Sequence, residues 1–332
     1  GLIDQHIHGC GGFDVEDASL EALAAMSEEL ARHGVTSFCP TVMARPIEEL
    51  PPILDMIRAG QRQGLPGAYV HGARLEGPYL SPLKKGAQKE SRLSKPDAGE
   101  FLALWNRYSG LIKIVDLAPE LEGAEDFIRR VRSRCVISMA HTAASYEGAL
   151  EAFRQGVGQA THLFNGMAAL GHREPGPAGA VLDSEQVRAE LICDGIHIHP
   201  AMLRLAFRIL GSRAVVVSDS MRAAGMPDGE YTLGGQKVCV RRGAALLRDG
   251  TLAGSTTNLH QELRNLLRFG IPLAQAVKAM TLNPAVQLGA DKTTGSIQPG
   301  KYADLVQDYE IFMVLVKGKI RWCGNRAPAE CP

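Results

Sequence analysis

Apolar, β-branched runs recur along the chain, and each is followed by a longer stretch in which the apolar positions have helical spacing. Short apolar runs between such stretches are typical of parallel strands that are buried on both faces. Eight alternating strands and helices predict an α/β protein, either a (β/α)8 TIM barrel or a doubly wound sheet. The predicted strands are Leu2–His8, Val35–Thr41, Ala68–Glu76, Ile112–Leu117, Cys135–His141, Val157–Leu163, Ala189–His197 and Ala214–Asp219.

The connection between the first two strands shows the helical pattern clearly. Leu20, Leu23, Ala24 and Leu30 follow a spacing of about 3.6 residues, which is that of a helix with one apolar face. Gly34 stands where the C-terminal cap of this helix is expected. The ending Arg-His-Gly-Val at 32–35 recurs as Arg-Gln-Gly-Val at 154–157, so both segments predict a helix that ends on glycine before a strand begins on valine.

Polar residues at the ends of the predicted strands favour the barrel over the doubly wound sheet. In a barrel, the C-terminal strand ends meet at one mouth, where catalytic residues gather. Several imidazoles that converge there with carboxylates form a ligand set suited to zinc, iron or a similar divalent ion. The residues at these ends, in strand order, are His6 and His8, Glu76, His141, His162, His197 and Asp219.

Each of these residues has an ordinary structural interpretation when it is taken alone. A single histidine on an apolar strand is more often a core residue than a ligand, and Asp219 could cap the following helix. The His6-x-His8 pair is more informative, because alternate residues of a strand face the same side. The prediction of a metal site depends on all of them falling at the same end of successive strands.

The pattern changes after Gly295 to short strands with turns at Pro299-Gly300 and at residues 317–319. Two or three strands are marginal without a partner. We therefore predict two domains: a metal-dependent hydrolase barrel over 1–295, and the C-terminal strands of a small, incomplete β-sandwich domain over 296–332. Because Gly1 lies in a strand-like run, we expect the N-terminal part of that small domain to precede it.

Composition excludes several classes of protein. Lys plus Arg and Asp plus Glu are equal at 36 each, so no basic field is present to attract nucleic acid or an anionic membrane. No apolar run approaches the length of a membrane span. The seven cysteines are scattered without a CxxC spacing, which favours reduced thiols and a cytoplasmic location. They are Cys10, Cys39, Cys135, Cys193, Cys239, Cys323 and Cys331.

The chain resembles the amidohydrolase superfamily and, within it, the N-acetylglucosamine-6-phosphate deacetylase family. The similarity covers essentially the whole chain. LEGP…KKGA and HREPG are typical of the deacetylases, whereas an HxH on the first strand is common to the superfamily. The motifs that carry the resemblance are HIHGCGGFD, LEGPYLSPLKKGAQ, AHTAAS, THLFNGM, GHREPGPAGAVLD, CDGIHIHP, SDSMRAAGMPDGEY and DGTLAGST.

The resemblance implies a metal centre of one or two divalent ions per subunit. Glu76, His141 and His162 are expected to hold one ion. The second would be held by His6, His8 and Asp219, with Glu76 as the bridge. Asp219 is also expected to be the general acid and base. We expect His197 to hydrogen-bond the acetyl carbonyl of the substrate, and His199, one step beyond, to be structural.

The resemblance also implies a phosphate site and a homodimer. Arg173 offers a planar fork for the phosphate and would reach it from the neighbouring subunit. Asn165 would add a neutral donor, with the backbone of Gly166 beside it. Most relatives have alanine at this second position, so we expect Gly166 to loosen the loop.

Three further residues near these motifs are less clearly assigned. Lys84 and Lys85 are conceivable phosphate contacts, but a solvated pair is the favoured interpretation. The role of Gln88 stays open, because relatives have either glutamine or histidine there.

The implied activity is metal-dependent hydrolysis of N-acetyl-D-glucosamine 6-phosphate to D-glucosamine 6-phosphate and acetate, in amino-sugar metabolism. Deacetylation of the galactosamine epimer would use the same residues. A cyclic-amide hydrolase of the superfamily is a further alternative, but it needs a carbamylated lysine at the end of strand four, and Lys113 lies too early. A non-catalytic barrel would have lost metal ligands, whereas every ligand position is filled here.

Overall fold

Strands and helices alternate through the first two thirds of the computed structural model, which describes residues 1–307 and 310–324. The strands are β1 Leu2–Ile7, β2 Gly9–Cys10, β3 Phe13–Asp14, β4 Val35–Val42, β5 Tyr69–Val70, β6 Ala73–Tyr79, β7 Ile112–Leu117, β8 Val136–Met139, β9 Gln159–Ala160, β10 Arg188–Leu191, β11 Ala214–Val216, β12 Gly229–Leu233, β13 Gln236–Arg241, β14 Ala244–Leu246, β15 Leu305–Gln307, β16 Met313–Val316 and β17 Lys319–Cys323. The α-helices are α1 Leu20–Arg32, α2 Pro51–Gln63, α3 Ala98–Arg107, α4 Ala124–Val131, α5 Tyr146–Gln155, α6 Gly176–Asp183, α7 Pro200–Leu210, α8 Leu259–Arg268, α9 Leu273–Met280 and α10 Leu282–Gln287.

Eight parallel strands form a nearly closed barrel, which confirms the predicted α/β fold class. Their order is β1-β4-β6-β7-β8-β9-β10-β11, and the short β5 pairs with β4. Backbone hydrogen bonds connect the last strand to the first. The N–H of Asp219 donates to the carbonyl of His6, and the N–H of His8 donates to the carbonyl of Ser220, both at 2.9 Å. The C-terminal ends of the strands therefore share one mouth.

Most of the predicted strands have different bounds in the structure; the sixth, for example, is only β9 Gln159–Ala160. The third is divided into β5 and β6, with His71 and Gly72 between them. The seventh was predicted too long, because β10 ends at Leu191. The side chain of Asp194 accepts hydrogen bonds from the N–H groups of Ile196 and His197, and this turn replaces the predicted strand end.

The first helix has the predicted face and ends. The Oγ of Ser19 accepts a hydrogen bond from the N–H of Ala22 at 3.1 Å and so caps the start of α1. Leu23 and Leu30 are buried against the barrel. Gly34 follows the helix with a φ of +77°, a conformation that glycine adopts without steric cost. Gly156, with a φ of +131°, plays the same part after α5.

Two three-stranded antiparallel sheets and the short antiparallel pair β2-β3 complete the fold of the described residues. Strands β15 to β17 form the short strands predicted after Gly295, with the turn at Lys317-Gly318. Residues 325–332 of the predicted C-terminal domain, with Cys331, lie outside the described residues, and the two-domain division stays a prediction. Strands β12 to β14 were not predicted, although Gly234-Gly235 supplies a hairpin turn between the first two. This second sheet brings Leu233 to the barrel mouth.

Within the described part of the chain, none of the helices combines the length and apolar character needed to span a bilayer.

Candidate metal centre

Three of the predicted ligands lie just beyond their strands, in an unusual backbone conformation. His141, His162 and Asp219 have φ values of +42°, +29° and +46°. Left-handed backbone costs a non-glycine residue roughly 1–2 kcal/mol. Such strain persists only where the surrounding structure holds it, and it clusters at functional sites. All three residues are buried.

A first group of ligand atoms surrounds one carboxylate oxygen. Glu76 Oε1 lies 3.3 Å from His141 Nε2 and 3.2 Å from His162 Nε2, and the two ring nitrogens are 3.2 Å apart. Ligand atoms placed tetrahedrally around zinc, with bonds of about 2.0–2.1 Å, are roughly 3.3 Å apart. The three residues therefore have the spacing of a divalent-metal site.

A second group shares the same glutamate. His8 Nε2 lies 3.2 Å from Glu76 Oε2 and 3.3 Å from Asp219 Oδ1, and His6 Nε2 lies 3.3 Å from the same Asp219 oxygen. His6 Nε2 is buried and has no hydrogen-bond partner. A buried polar atom without a partner is costly, so this orphaned nitrogen fits a position next to a cation. Both groups have the donor chemistry of a divalent ion, and Glu76 lies between them.

Each of the four histidines turns its Nε2 towards this centre because its Nδ1 is hydrogen-bonded to an oxygen outside the centre. Such outer contacts fix the tautomer and orientation of metal-binding histidines. The Nδ1 partners are the carbonyl of Thr41 for His8 at 3.1 Å, the carbonyl of Lys84 for His141 at 2.8 Å, the carbonyl of Asn165 for His162 at 3.1 Å, and the carboxylate of Glu190 for His6 at 3.1 Å.

The ionisable groups of the centre shift one another's pKa values. Burial opposes ionisation of Glu76, but hydrogen bonds from the surrounding histidines hold its pKa well below the usual range. Asp219 is also buried, yet the charge of His6 and a hydrogen bond to His8 lower its pKa to about 2. Burial alone would lower the pKa of His162, but the neighbouring carboxylates raise it to about 9. Ionised carboxylates and proton-holding histidines are thus paired here without a metal ion.

The centre opens into a cavity of about 230 Å³. This volume is below the range of about 300–1,000 Å³ common for drug-sized ligands, so the cavity suits a small substrate. Asn165, Gly166 and His197 all contribute to its lining, as predicted. Arg173 is exposed and does not belong to this lining, so the predicted phosphate arginine is not brought to the site of its own chain.

The loop of Asn165 and Gly166 is tightly fitted rather than loose, so that expectation was wrong. Asn165 Nδ2 donates to the carbonyls of His162 and Leu163 at 3.2 and 3.3 Å. Gly166 has a φ of +61°, and a Cβ there would lie 2.8 Å from His141 Nδ1. Glycine thus allows the loop to pack directly against a metal-facing ring.

His197 and His199 occupy different environments, as predicted. His197 Nδ1 lies 2.7 Å from Asp194 Oδ2, and its side chain is only 6% exposed. Burial opposes ionisation of Asp194, but its contacts with His197 bring its pKa below the usual value. His199 is the N-cap of α7, where its Nδ1 accepts a hydrogen bond from the N–H of Ala201.

The structure also assigns contacts to residues that were left open or missed. Gln88 Nε2 donates to Glu76 Oε2 at 2.7 Å, and its Oε1 accepts from the N–H of Ala44. Lys85 forms an exposed ion pair with Glu90, in accord with the solvated interpretation.

A network of polar residues inside the barrel was missed altogether. Arg74 lies two positions before Glu76 in β6 and forms ion pairs with Asp116 and Glu190, and all three are fully buried. Charged residues inside apolar parallel strands were the available signal, since such residues are rarely buried without a partner.

A larger cleft of about 940 Å³ lies at the opposite end of the barrel. It is lined by residues at the starts of strands, including Lys113, and contains none of the metal-ligand groups found among the described residues. The candidate site therefore rests on its chemistry rather than on cavity size. The position of Lys113 also agrees with the argument against a carbamylated-lysine enzyme.

A parallel barrel with histidines and carboxylates gathered at its mouth defines a class of metal-dependent hydrolases. A sequence profile of the amidohydrolase family matches residues 1–321, and the chain belongs to this family.

Within the family, the chain is similar to deacetylases of sugar phosphates. It is 38% identical to N-acetylglucosamine-6-phosphate deacetylase of Vibrio furnissii over 99% of this chain and 84% of the relative. It is 39% identical to N-acetylgalactosamine-6-phosphate deacetylase of Escherichia coli O157:H7, over 92% of this chain and 81% of the relative. The solved structure of a mutant N-acetyl-D-glucosamine-6-phosphate deacetylase from Mycobacterium smegmatis, in complex with N-acetyl-D-glucosamine-6-phosphate, superposes with a TM-score of 0.90 at 33% identity, over 97% of this chain and 86% of that one.

Proposed function

We propose that this hydrolase removes the acetyl group from N-acetyl-D-glucosamine 6-phosphate, with D-glucosamine 6-phosphate and acetate as products, in cytoplasmic amino-sugar metabolism. The observation that carries the proposal is the convergence of four histidines with Glu76 and Asp219 beside a small cavity. The similarity to deacetylases of this substrate supports the choice of substrate.

An acetamide is a poor electrophile, so its hydrolysis needs both an activated water molecule and a polarised carbonyl. A divalent ion held by Glu76, His141 and His162, with a second held by His6, His8 and Asp219, would lower the pKa of water to about 7 and polarise a carbonyl oxygen.

Asp219 would move the proton. With its pKa lowered to about 2, the carboxylate is ionised at neutral pH and can accept the proton of the attacking water. It then delivers that proton to the amine that departs from the acetyl carbon. His197 would donate a hydrogen bond to the acetyl oxygen as negative charge develops there. Asp194, on the other side of the ring, compensates the charge when both ring nitrogens carry protons.

Phosphate recognition would depend on a second subunit. Asn165 and Gly166 lie at the cavity, but Arg173 is exposed on its own chain. We therefore propose a homodimer in which each Arg173 completes the phosphate site of the other subunit. An arginine that lies outside its own site but serves a neighbouring one fits the symmetry of a two-fold dimer, in which both sites are completed alike.

Deacetylation of N-acetylgalactosamine 6-phosphate is the second candidate. The galactosamine-specific relative is as similar to this chain as the glucosamine-specific ones. The two sugars differ only at one hydroxyl, remote from the acetamide, so the proposed catalytic residues serve both.

Acetate release from a panel of N-acetylated sugars tests the proposal. The panel contains both 6-phosphates and both unphosphorylated sugars, with and without added divalent metal. We expect the glucosamine 6-phosphate to give the highest kcat/KM. Equal rates on unphosphorylated sugars would refute phosphate recognition, and a preference for the galactosamine ester would favour the second candidate.

Replacement of Asp219 with asparagine tests the proton transfer. Because asparagine cannot accept a proton at neutral pH, we expect Asp219→Asn to lower kcat by about 10²–10⁴-fold, the usual contribution of general acid–base catalysis. The first metal group does not include this residue, so the variant should still bind an ion there. Near-normal turnover would contradict the assigned role.

A further inference from the structure

His6 differs from the other three histidines of the metal centre in the chemistry of its Nδ1 partner. The rings of His8, His141 and His162 are held by backbone carbonyls. His6 is held by the carboxylate of Glu190, with His6 Nδ1 3.1 Å from Glu190 Oε2. Both side chains are fully buried.

The remaining contacts of Glu190 determine which nitrogen of His6 carries the proton. Its other oxygen, Oε1, accepts hydrogen bonds from Gln5 Nε2 at 2.7 Å and from Gln159 Nε2 at 2.9 Å, and it forms an ion pair with Arg74. Arginine stays protonated, so its ion pair holds Glu190 in the ionised form, and Oε2 itself accepts a hydrogen bond from the N–H of His162 at 3.4 Å. An ionised carboxylate cannot donate to His6, so the Nδ1 of His6 must be the donor.

A histidine binds a metal ion only as the neutral ring, and with its proton on Nδ1 that ring directs the lone pair of Nε2 at two carboxylate oxygens. These are Asp219 Oδ1 at 3.3 Å and Glu76 Oε1 at 3.6 Å. Three electron-rich atoms this close, all buried, repel one another unless a cation lies between them. The Nε2 of His6 is also the ring nitrogen of the cluster that lacks any hydrogen-bond partner among the described residues.

We propose that Glu190 is a positioning residue for a second metal ion: held by Arg74, it fixes the His6 tautomer that presents a lone pair to the ion. This inference rests on the proposed metal centre and deepens it. Partners of this kind usually change metal affinity by about 10–100-fold when they are replaced. The barrel interior would therefore decide whether the chain holds one ion or two.

The isosteric variant Glu190→Gln separates this role from packing. Its amide oxygen can still accept from Arg74 and the neighbouring glutamines, which leaves the amide NH2 facing His6 Nδ1. The ring must then accept at Nδ1 and carry its proton on Nε2, so that the metal-facing lone pair is lost. The same inversion of a tautomer is known when the aspartate of a catalytic triad becomes asparagine.

Asp116→Asn is the matched control. Asp116 is the other buried carboxylate partner of Arg74, at 3.0 Å, but Glu190 is the one whose carboxylate contacts the His6 ring. Both variants remove one charge from the same network, so both should lose thermal stability. Only the change at Glu190 should alter the binding of the second ion.

The test is a titration of the metal-free, full-length protein with Zn²⁺ by calorimetry, together with metal analysis after dialysis. We expect two ions per chain in the wild type and in Asp116→Asn. In Glu190→Gln we expect one tight ion, with the affinity for the second lowered about 10–100-fold. The proposal is overturned by equal binding of two ions in Glu190→Gln, by a single ion in the wild type, or by the same loss in Asp116→Asn.

A spectroscopic measurement covers the case in which Glu190→Gln does not fold. In wild-type protein loaded with Cd²⁺ and labelled with ¹⁵N at histidine, His6 should show a proton on Nδ1 and metal coupling at Nε2. Coupling at Nδ1, or none, would contradict the assignment. Both readouts are independent of deacetylation: two ions without acetate release would refute the proposed function and leave the role of Glu190 intact.

Discussion

If His197 donates from Nδ1 to Asp194 and from Nε2 to the acetyl oxygen, as proposed, its ring carries both protons, and replacement of Asp194 tests a ring that keeps its Nε2 donor but loses that charge. Asp194 Oδ2 lies 2.7 Å from His197 Nδ1, while Oδ1 accepts from two backbone N–H groups at 2.8 and 2.9 Å. In Asp194→Asn, the amide oxygen can keep those backbone bonds, and the amide NH2 then faces Nδ1. The ring must accept there and carry its proton on Nε2. The acetyl oxygen still meets a donor, but a neutral one.

The size of the effect follows from that difference. Hydrogen bonds to charged groups contribute about 1.5–3 kcal/mol, and neutral ones about 0.5–1.5 kcal/mol. The difference of about 1–1.5 kcal/mol corresponds to roughly 5–13-fold in rate. We therefore expect Asp194→Asn to lower kcat about tenfold. His197→Ala removes the donor entirely and should cost about 10²–10³-fold. KM should change little, because the bond strengthens as charge develops on the oxygen.

The assay is steady-state acetate release from N-acetyl-D-glucosamine 6-phosphate, with thermal unfolding as the control for the turn at residues 194–197. A loss in Asp194→Asn as large as that in His197→Ala, at unchanged Tm, would refute the reasoning, because the ring would then need the carboxylate for more than charge. An unchanged kcat would refute it from the other side, since His197 would then act as a neutral donor.

Two further predictions concern the second subunit and the metal. If Arg173 acts across a dimer interface, co-expression of Arg173→Ala with Asp219→Asn chains should restore about a quarter of wild-type activity. Half of the randomly paired dimers are then mixed, and one of the two sites in each mixed dimer is complete. Activity no higher than that of the separate variants would show that Arg173 acts in its own chain. His162, whose pKa is raised to about 9, holds a proton at pH 7 in the metal-free protein and is a ligand only after losing it. Metal affinity should therefore fall as the pH is lowered below 9, and metal binding should release protons. Calorimetry in buffers of different ionisation enthalpy measures the number of protons released. Metal binding without proton release at pH 7 would contradict this prediction.

The barrel and the convergence of its candidate metal-binding residues could be predicted because both depend on the order of residues along single strands. Each of the eight strands is marked by its own apolar run, and His6, His8 and Glu76 stand at or near the end of theirs. In a parallel barrel, the C-terminal ends of the strands meet at one mouth, and this does not depend on the exact register between the strands. Convergence at one mouth therefore followed from the sequence without knowledge of any contact.

The contacts that orient the ligands could not be predicted in the same way. Glu190 meets His6 and Arg74 inside the barrel, across strands that are far apart in sequence. The stagger between neighbouring strands determines which interior side chains lie at the same height along the barrel axis. This stagger cannot be read from a single sequence. The β12 to β14 sheet was missed for a different reason: its strands are partly exposed and lack a continuous apolar run.

Each of the two His-Ile-His segments contains a histidine whose Nδ1 contacts a carboxylate, but the proposed roles of the two rings differ. In β1, Glu190 holds the proton of His6 on Nδ1, which leaves Nε2 as a lone pair for a metal ion. In the turn after β10, Asp194 holds His197 in the same way, but the proposed role of that ring is to donate from Nε2. An amide in place of either carboxylate moves the proton to Nε2. That change removes a metal ligand at His6 yet preserves a hydrogen-bond donor at His197. Glu190→Gln should therefore lower metal occupancy, whereas Asp194→Asn should lower kcat at full occupancy.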